Sequence, residues 1–228
     1  DVILQYSTFS FDASVYDIFG SLACGSRLHL LSDEQRFSID AFTEAVENTS
    51  ATRVAILPTV FFNQLAAYLP LEEIQKYRNI KSIVVGGEAL AGETVRMFQK
   101  KLQIPIVNLY GPTEITVVAT GHIVDYPVPD DLATVYIGTP FANYELYIVN
   151  EHNALCPTCV TGELLISSVG VAKGYLNQPE KTKEAFIQDP IMPESGKQFY
   201  RSGDLVRLLP NGQVEYRGRK DSQGKIRG

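Results

Sequence analysis

The chain has 228 residues, 45% of them hydrophobic, and a formal net charge of −6, so it can bury a substantial core as one domain or two small ones. Its Lys and Arg residues are scattered rather than clustered, which excludes the phosphate-backbone footprint of a nucleic-acid binder and the polybasic patch of a membrane-surface protein. No apolar run approaches membrane-spanning length and no signal-peptide pattern opens the sequence, so neither nucleic acid nor membrane is an expected partner and the cytoplasm is the expected compartment.

From residue 14 to about residue 109, helical periodicity alternates with short β-rich runs. "SVYDIFGSLAC" is amphipathic, "SRLHLL" is a strand and 39–48 is helical; "RVAIL", "KSIVVGG" and "IPIVNLY" are strands separated by the helices "TVFFNQLAAYL" and "GETVRMFQKKL". Apolar strands alternating with helices imply a flavodoxin-like α/β fold, a parallel sheet with helices on both faces. Such sheets bind ligands beyond the carboxyl ends of their strands, where "VGGEAL" and "YGPTE" both fall.

After about residue 120 the period changes to two. "TGHIVDY", "NYELYIVN", "GELLISS" and "DLVRLLPNGQVEYRGR" read as strands, with Asn211-Gly212 as a hairpin turn and one helix over about 179–186. The Pro-rich "DYPVPDD" at 125–131 marks the seam. The expected organisation is an α/β subdomain over 1–128 and a smaller β-barrel-like subdomain over 129–228. The chain opens at Asp1 in a pattern already under way and stops at "KIRG" without a closing element, as a piece of a longer protein is expected to do.

Cys24, Cys156 and Cys159 are an odd set that suits a reducing compartment. "CPTC" at 156–159, with His152 nearby, has metal or redox spacing. It lacks a second ligand pair, and its flanks suit a hairpin loop better than the helix start of a thiol–disulfide site.

Three stretches carry chemistry. In "YGPTE", Tyr110 offers a flat face, Gly111 lets backbone approach a ligand, Pro112 fixes the turn, Thr113 can donate to a phosphate oxygen and Glu114 can hold Mg²⁺. The same five residues also suit a plain proline turn with a solvated Glu114. "VGGEAL" at 85–90 lies between a strand and a helix but is not G-x-G-x-x-G. "YRSGDLVR" sets Asp204 at a strand start, where a carboxylate can take two ribose hydroxyls or simply bond its own loop.

In chain order, "FSFDASVYDIF", "NLYGPTE", "GELLISSVGVAKGYL", "YRSGD" and "GRKDSQGKIRG" resemble the consecutive core motifs of the adenylate-forming enzymes, specifically the adenylation domains of nonribosomal peptide synthetases. The resemblance spans the whole chain. It implies ATP-dependent activation of an amino acid to its aminoacyl adenylate with Mg²⁺, then loading of a peptidyl carrier protein's phosphopantetheine arm beside neighbouring synthetase domains. It further implies that Tyr110 stacks on adenine, Asn108 bonds the adenine amino edge, and Gly87 lies near the ring's other side. Thr113 meets the α-phosphate, Glu114 takes Mg²⁺, Asp204 and Arg219 hold the ribose, Tyr216 lines the nucleotide site, Lys225 lies near the ribose, and Asp221 is a hinge. Ser168, Ser202 and Gly224 replace the family's usual Gly, Thr and Val, and none of them is a ligand group. The family's phosphate loop is expected before Asp1 and its catalytic lysine after Gly228, so the chain by itself is expected to exchange little pyrophosphate into ATP.

The resemblance also aligns a substrate pocket. Asp12 matches the aspartate that holds an α-ammonium, and Ala13, Tyr16, Ile56, Val84, Gly86, Leu109, Val117 and Val118 face the substrate side chain. Tyr16 supplies the single polar side-chain group among those eight, so charged substrates lose hydration without compensation. The expected substrate is a neutral hydrophobic amino acid of the Leu, Ile or Val kind, with an aromatic one as runner-up. Two rivals are an acyl- or aryl-CoA ligase of the same superfamily, which has no use for Asp12, and a non-catalytic binding module derived from this fold.

Overall fold

The computed structural model describes residues 1–220, which form two units: residues 1–109 with 123–135, and residues 110–122 with 136–220. In the first unit β1 (Val2–Gln5), β2 (Arg27–Leu30), β3 (Arg53–Pro58), β4 (Ser82–Gly86) and β5 (Ile106–Tyr110) are parallel, in the order β2-β1-β3-β4-β5. The helices between them are α1 (Ala13–Ala23), α2 (Asp33–Phe37), α3 (Ile39–Thr49), α4 (Thr59–Tyr68) and α5 (Gly92–Lys101). Val54, Ala55, Ile56 and Leu57 are buried in succession along β3, as in a parallel strand covered on both faces.

Local signals set the helix ends. Ser32 and Gln35 form a reciprocal capping box at α2, and the Ser38 hydroxyl accepts the Ala41 N–H at α3, which ends at Ser50 in the left-handed conformation. Leu4, Val54, Leu57, Ile83, Val85 and Ile106 from the strands bury against Phe42, Phe61, Phe62, Leu65 and Phe98 from the helices. Each such side chain contributes about 1.5–3 kcal/mol by leaving water. β1, α2 and a 3-10 turn at Leu71–Tyr77 add to the elements expected from the sequence.

The Pro-rich stretch returns to this unit. Val124 N–H bonds Ile106 O at 2.9 Å, Val135 N–H bonds Leu90 O at 2.8 Å, and Val124, Val128 and Val135 join the core. A Cβ at Gly92 would stand 2.0 Å from Leu132 O, so glycine is what lets this stretch lie against the start of α5. The seam expected at 128/129 falls within that packed stretch.

In the second unit β6 (Thr120–Ile123) pairs antiparallel with β7 (Thr139–Pro140). A separate antiparallel sheet has the order β10-β11-β9-β8, with β12 beside β11; its strands are β8 (Glu145–Val149), β9 (Gly162–Ser167), β10 (Phe186–Gln188), β11 (Gln198–Leu208) and β12 (Val214–Arg219). The helix expected at 179–186 is α6 (Pro179–Ala185). Gly212 makes the expected hairpin turn with a φ of 80°, and the Asn211 side chain accepts the Gln213 N–H at 3.1 Å. β9 is buried along its length, and Leu164, Ile166, Phe186, Tyr200, Val206 and Val214 form the core around it.

One buried acid fixes α1 in the first unit. The register between β1 and β3 runs through Leu4 and Val54. Past that point the Asp17 carboxylate takes the backbone, accepting Ser7 N–H through Oδ2 and Ile56 N–H through Oδ1, both at 3.3 Å. Asp17 is 1% exposed, and burial raises its pKa to about 7 against the two N–H bonds that lower it. The folded protein therefore holds a proton that the unfolded chain has released. The stability this lends is complete below the ordinary aspartate value of 3.8 and is lost as pH rises through about 7. Across that window the wild type should lose up to about 1.4 kcal/mol per pH unit more than Asp17→Asn. Urea titrations at a series of pH values check this, and equal slopes for the two proteins would contradict it.

Candidate active site

In the first unit, Asp12 is the N-terminal flank of α1, and Ala13 and Tyr16 follow one turn apart on the same side of the helix. The Asp12 side chain makes no capping bond. Burial, with Asp17 as a lesser cause, raises the Tyr16 phenol above its ordinary pKa. Asp17 ties α1 to the backbone of Ile56.

Ile56, Gly86 and Leu109 lie near the carboxyl ends of β3, β4 and β5, and Gly86 is the register partner of Leu109. A Cβ at Gly86 would sit 3.1 Å from Leu109 O and 3.4 Å from Ile56 Cγ2. Glycine thus leaves a space bordered by these two residues. Val84, two residues before Gly86, shares its side of the strand. Gly87 follows with a φ of 103° and open space where a Cβ would point, and Asn108 is buried in β5. The structure therefore gathers Ile56, Gly86 and Leu109 at adjoining strand ends, with the helix that bears Asp12, Ala13 and Tyr16 tied to the same backbone.

The second unit holds Tyr110, Gly111, Thr113, Glu114, Val117, Val118, Asp204, Tyr216 and Arg219. The Tyr110 hydroxyl donates to Asp204 Oδ2 at 2.5 Å. Arg219 Nη1 donates to Asp204 Oδ1 at 3.2 Å and to Ser202 O at 3.1 Å. The hairpin makes this pairing possible, because Asp204 and Arg219 are register partners across β11 and β12. Ser202 supports the same strand: its hydroxyl donates to Leu164 O at 2.7 Å and accepts Asp204 N–H at 3.1 Å. Its replacement of a threonine keeps the oxygen that makes both bonds.

Burial raises the Tyr110 phenol well above its ordinary pKa, and the Asp204 charge adds to that, so the phenol keeps its proton and donates. Tyr216, half-buried, packs on the same core. Tyr110 and Arg219 bond opposite oxygens of Asp204, and a carboxylate is a four-site acceptor able to take hydroxyl donors.

Glu114 sits in a 3-10 turn, Thr113–Ile115, with Thr113 exposed. Thr116 and Val117 follow with φ of 65° and 71°, a conformation that costs a β-branched residue of order 1–3 kcal/mol. It is held by Ala119 N–H to Tyr110 O at 2.8 Å and by Thr116 Oγ1 to Gly170 O at 2.7 Å. A Cβ at Gly111 would stand 2.5 Å from Val117 O, so only glycine lets the turn fold back this tightly. Glu114 Oε1 accepts the Tyr175 hydroxyl at 2.6 Å, a partner that sequence patterns do not reveal.

Among the described residues no three His, Cys, Asp or Glu side chains gather as a metal cage. A lone carboxylate completed by phosphate oxygens and water is nevertheless an ordinary Mg²⁺ setting, and Glu114 fits it. Asp221 and Lys225 lie outside the described residues.

Comparison with known proteins identifies the family and the fold. The family described as AMP-binding enzyme matches residues 1–176. The chain is 39% identical to bacitracin synthase 1 of Bacillus licheniformis, over 100% of this chain and 4% of that protein. It is 38% identical to surfactin synthase subunit 3 of Bacillus subtilis (strain 168), over 100% and 17% respectively. It thus spans less than a fifth of either relative. The crystal structure of IdnL1 superposes with a TM-score of 0.92 at 28% identity, covering 100% of this chain and 46% of that one. The crystal structure of CmiS6 follows at 0.90 and 28%, covering 97% and 53%.

The Tyr110–Asp204–Arg219 network should show in stability as well as chemistry. Asp204→Ala removes the charged acceptor shared by Arg219 and Tyr110 and should cost about 2–3 kcal/mol. Tyr110→Phe removes one donor and should cost about 1 kcal/mol. Denaturant unfolding of the two variants should preserve that ranking. Equal, negligible losses would mean the network contributes nothing to the fold.

Proposed function

Because the chain belongs to the AMP-binding enzymes, we propose that it carries the adenine, ribose and amino-acid surfaces of an amino-acid adenylation domain in nonribosomal peptide synthesis. The substrate is a neutral hydrophobic amino acid. The carrying observation is the Asp204 carboxylate, held by the Tyr110 hydroxyl at one oxygen and by Arg219 at the other. In this proposal the ribose hydroxyls donate to Asp204, Tyr110 stacks on adenine, Asn108 bonds the adenine amino edge, Gly87 serves the ring's other side, and Thr113 donates to the α-phosphate. Gly111 admits the backbone to the nucleotide, and Tyr216 lines the same site.

The reaction joins a substrate carboxylate oxygen to the α-phosphorus of ATP and expels pyrophosphate. Charge builds on the phosphate oxygens, and preorganised counter-charge lowers that barrier. Mg²⁺, when bound, supplies such charge, and Glu114 is the carboxylate that would hold it. Asp12 meets the α-ammonium, and this ion pair sets the carboxylate's approach to phosphorus. Ala13, Tyr16, Ile56, Val84, Gly86, Leu109, Val117 and Val118 form the side-chain pocket. The space at Gly86 gives depth, while Ile56 and Leu109 narrow it. The acylated product then passes to a phosphopantetheine thiol on a carrier domain. The subdomain expected over 1–128 carries the amino-acid pocket and the adenine site, and that over 129–228 gives the β-rich support of the ribose site.

Amino-acid-dependent exchange of pyrophosphate into ATP, measured on the full-length protein across the proteinogenic amino acids, is the test. Leu, Ile or Val should lead, with aromatic residues behind and Asp, Glu, Lys and Arg at background, because a buried unpaired charge costs several kcal/mol. Asp12→Ala should erase the preference for an amino acid over the matching hydroxy acid. Preference for a charged side chain, or Asp12→Ala with unchanged selectivity, would contradict the pocket. Activation of simple acyl or aryl acids instead would favour the CoA-ligase rival.

A further inference from the structure

Glu114 is a long side chain on a three-residue turn, which by itself leaves its carboxylate free to rotate. The backbone of that turn is secured by the segment that follows β9 and by Tyr144, just before β8. Ala172 N–H donates to Glu114 O at 2.8 Å, Thr116 Oγ1 to Gly170 O at 2.7 Å, and Tyr144 Oη to Ile115 O at 3.2 Å. The same segment reaches the carboxylate through Tyr175 Oη, 2.6 Å from Oε1.

Tyr175 is itself fixed. Its N–H donates to Thr182 Oγ1 at 2.8 Å, and its ring packs edge-on against Phe186 at 5.4 Å, with Phe186 in turn 5.3 Å from Tyr200. A Cβ at Gly174 would stand 2.3 Å from Thr182 Cγ2, so the preceding glycine is what lets Thr182 close on the tyrosine backbone. Burial, then Tyr175's hydrogen bond and Glu114's charge, raise the Tyr200 phenol, and burial with the Glu114 bond raises that of Tyr175. Both phenols therefore keep their protons beside the carboxylate.

From this geometry we infer that Tyr175 is a positioning residue for Glu114, holding one carboxylate oxygen so that the group presents a fixed set of lone pairs to the divalent cation of a bound nucleotide. The inference rests on the proposal that Glu114 is the cation ligand. A hydroxyl that donates to one oxygen orients the carboxylate and removes the rotational freedom that cation binding would otherwise have to freeze.

The test compares wild type, Tyr175→Phe and Glu114→Gln in the full-length protein. Tyr175→Phe keeps the ring and its contact with Phe186, so the melting temperature should move little. Mn²⁺ affinity in the presence of a non-hydrolysable ATP analogue is read from the electron paramagnetic resonance signal of free Mn²⁺. Tyr175→Phe should weaken it by about tenfold. The Mg²⁺ concentration that half-saturates pyrophosphate exchange should rise by a similar factor, while saturating Mg²⁺ restores the rate and the amino-acid KM stays put. Glu114→Gln should weaken Mn²⁺ at least as much, with no rescue by Mg²⁺. If Glu114→Gln weakens the metal and Tyr175→Phe does not, the positioning role fails while the ligand assignment stands. If neither variant changes Mn²⁺ affinity, both fall. A Tyr175→Phe protein that is slower at every Mg²⁺ concentration with unchanged metal affinity would also overturn the inference.

Discussion

The carboxylate of Asp204 joins parts of the second unit that are far apart in sequence. Tyr110, at the end of β5, donates to one oxygen, and Arg219, on the far strand of a hairpin, donates to the other. Ser202 holds the intervening backbone to β9. A charged acceptor with two strong donors is geometrically determined, because each bond fixes one lone-pair direction and the strands fix the rest. The Tyr110 ring and the Asp204 carboxylate consequently keep a set relation through the protein's own bonds. Preorganisation of this kind lowers the ordering cost of binding a ligand that meets both groups.

The other carboxylates work in the same way at different depths. Asp17, almost wholly buried, stands in for a strand partner by taking two backbone N–H groups where β1 and β3 part. Its burial opposes its charge, so its service to the fold depends on pH. Glu114, half-buried on its turn, keeps access to solvent and is restrained by a phenol rather than by backbone. Burial thus separates an acid that holds the fold from one suited to meet a cation.

Much of the fold was legible because the parallel strands announce themselves. "RVAIL" and "KSIVVGG" are apolar throughout since both faces are covered, and "DLVRLLPNGQVEYRGR" shows period two around an Asn-Gly turn. β1 was missed because four residues at the start of the sequence give too short a window for periodicity. Proline content at 125–131 signals irregular backbone, not where that backbone packs, so Val124, Val128 and Val135 entered the core unannounced. The site motifs were placed by family resemblance. Their mutual contacts were not readable, since Tyr110 and Asp204 are 94 residues apart and Glu114 and Tyr175 are 61 apart. Asp17 left a faint signal, an acid on the packed side of an amphipathic helix.

The central claim is that the carboxylate braced by Tyr110 and Arg219 is a ribose site. Calorimetric titration of the full-length protein with a non-hydrolysable aminoacyl-adenylate analogue tests it most directly. Asp204→Asn keeps the side chain's size but removes the charge that strengthens its bonds to the ribose hydroxyls. The account predicts at least about tenfold weaker binding for this variant, with the affinity for the free amino acid unchanged. An Asp204→Asn protein that binds the analogue as tightly as wild type would contradict it.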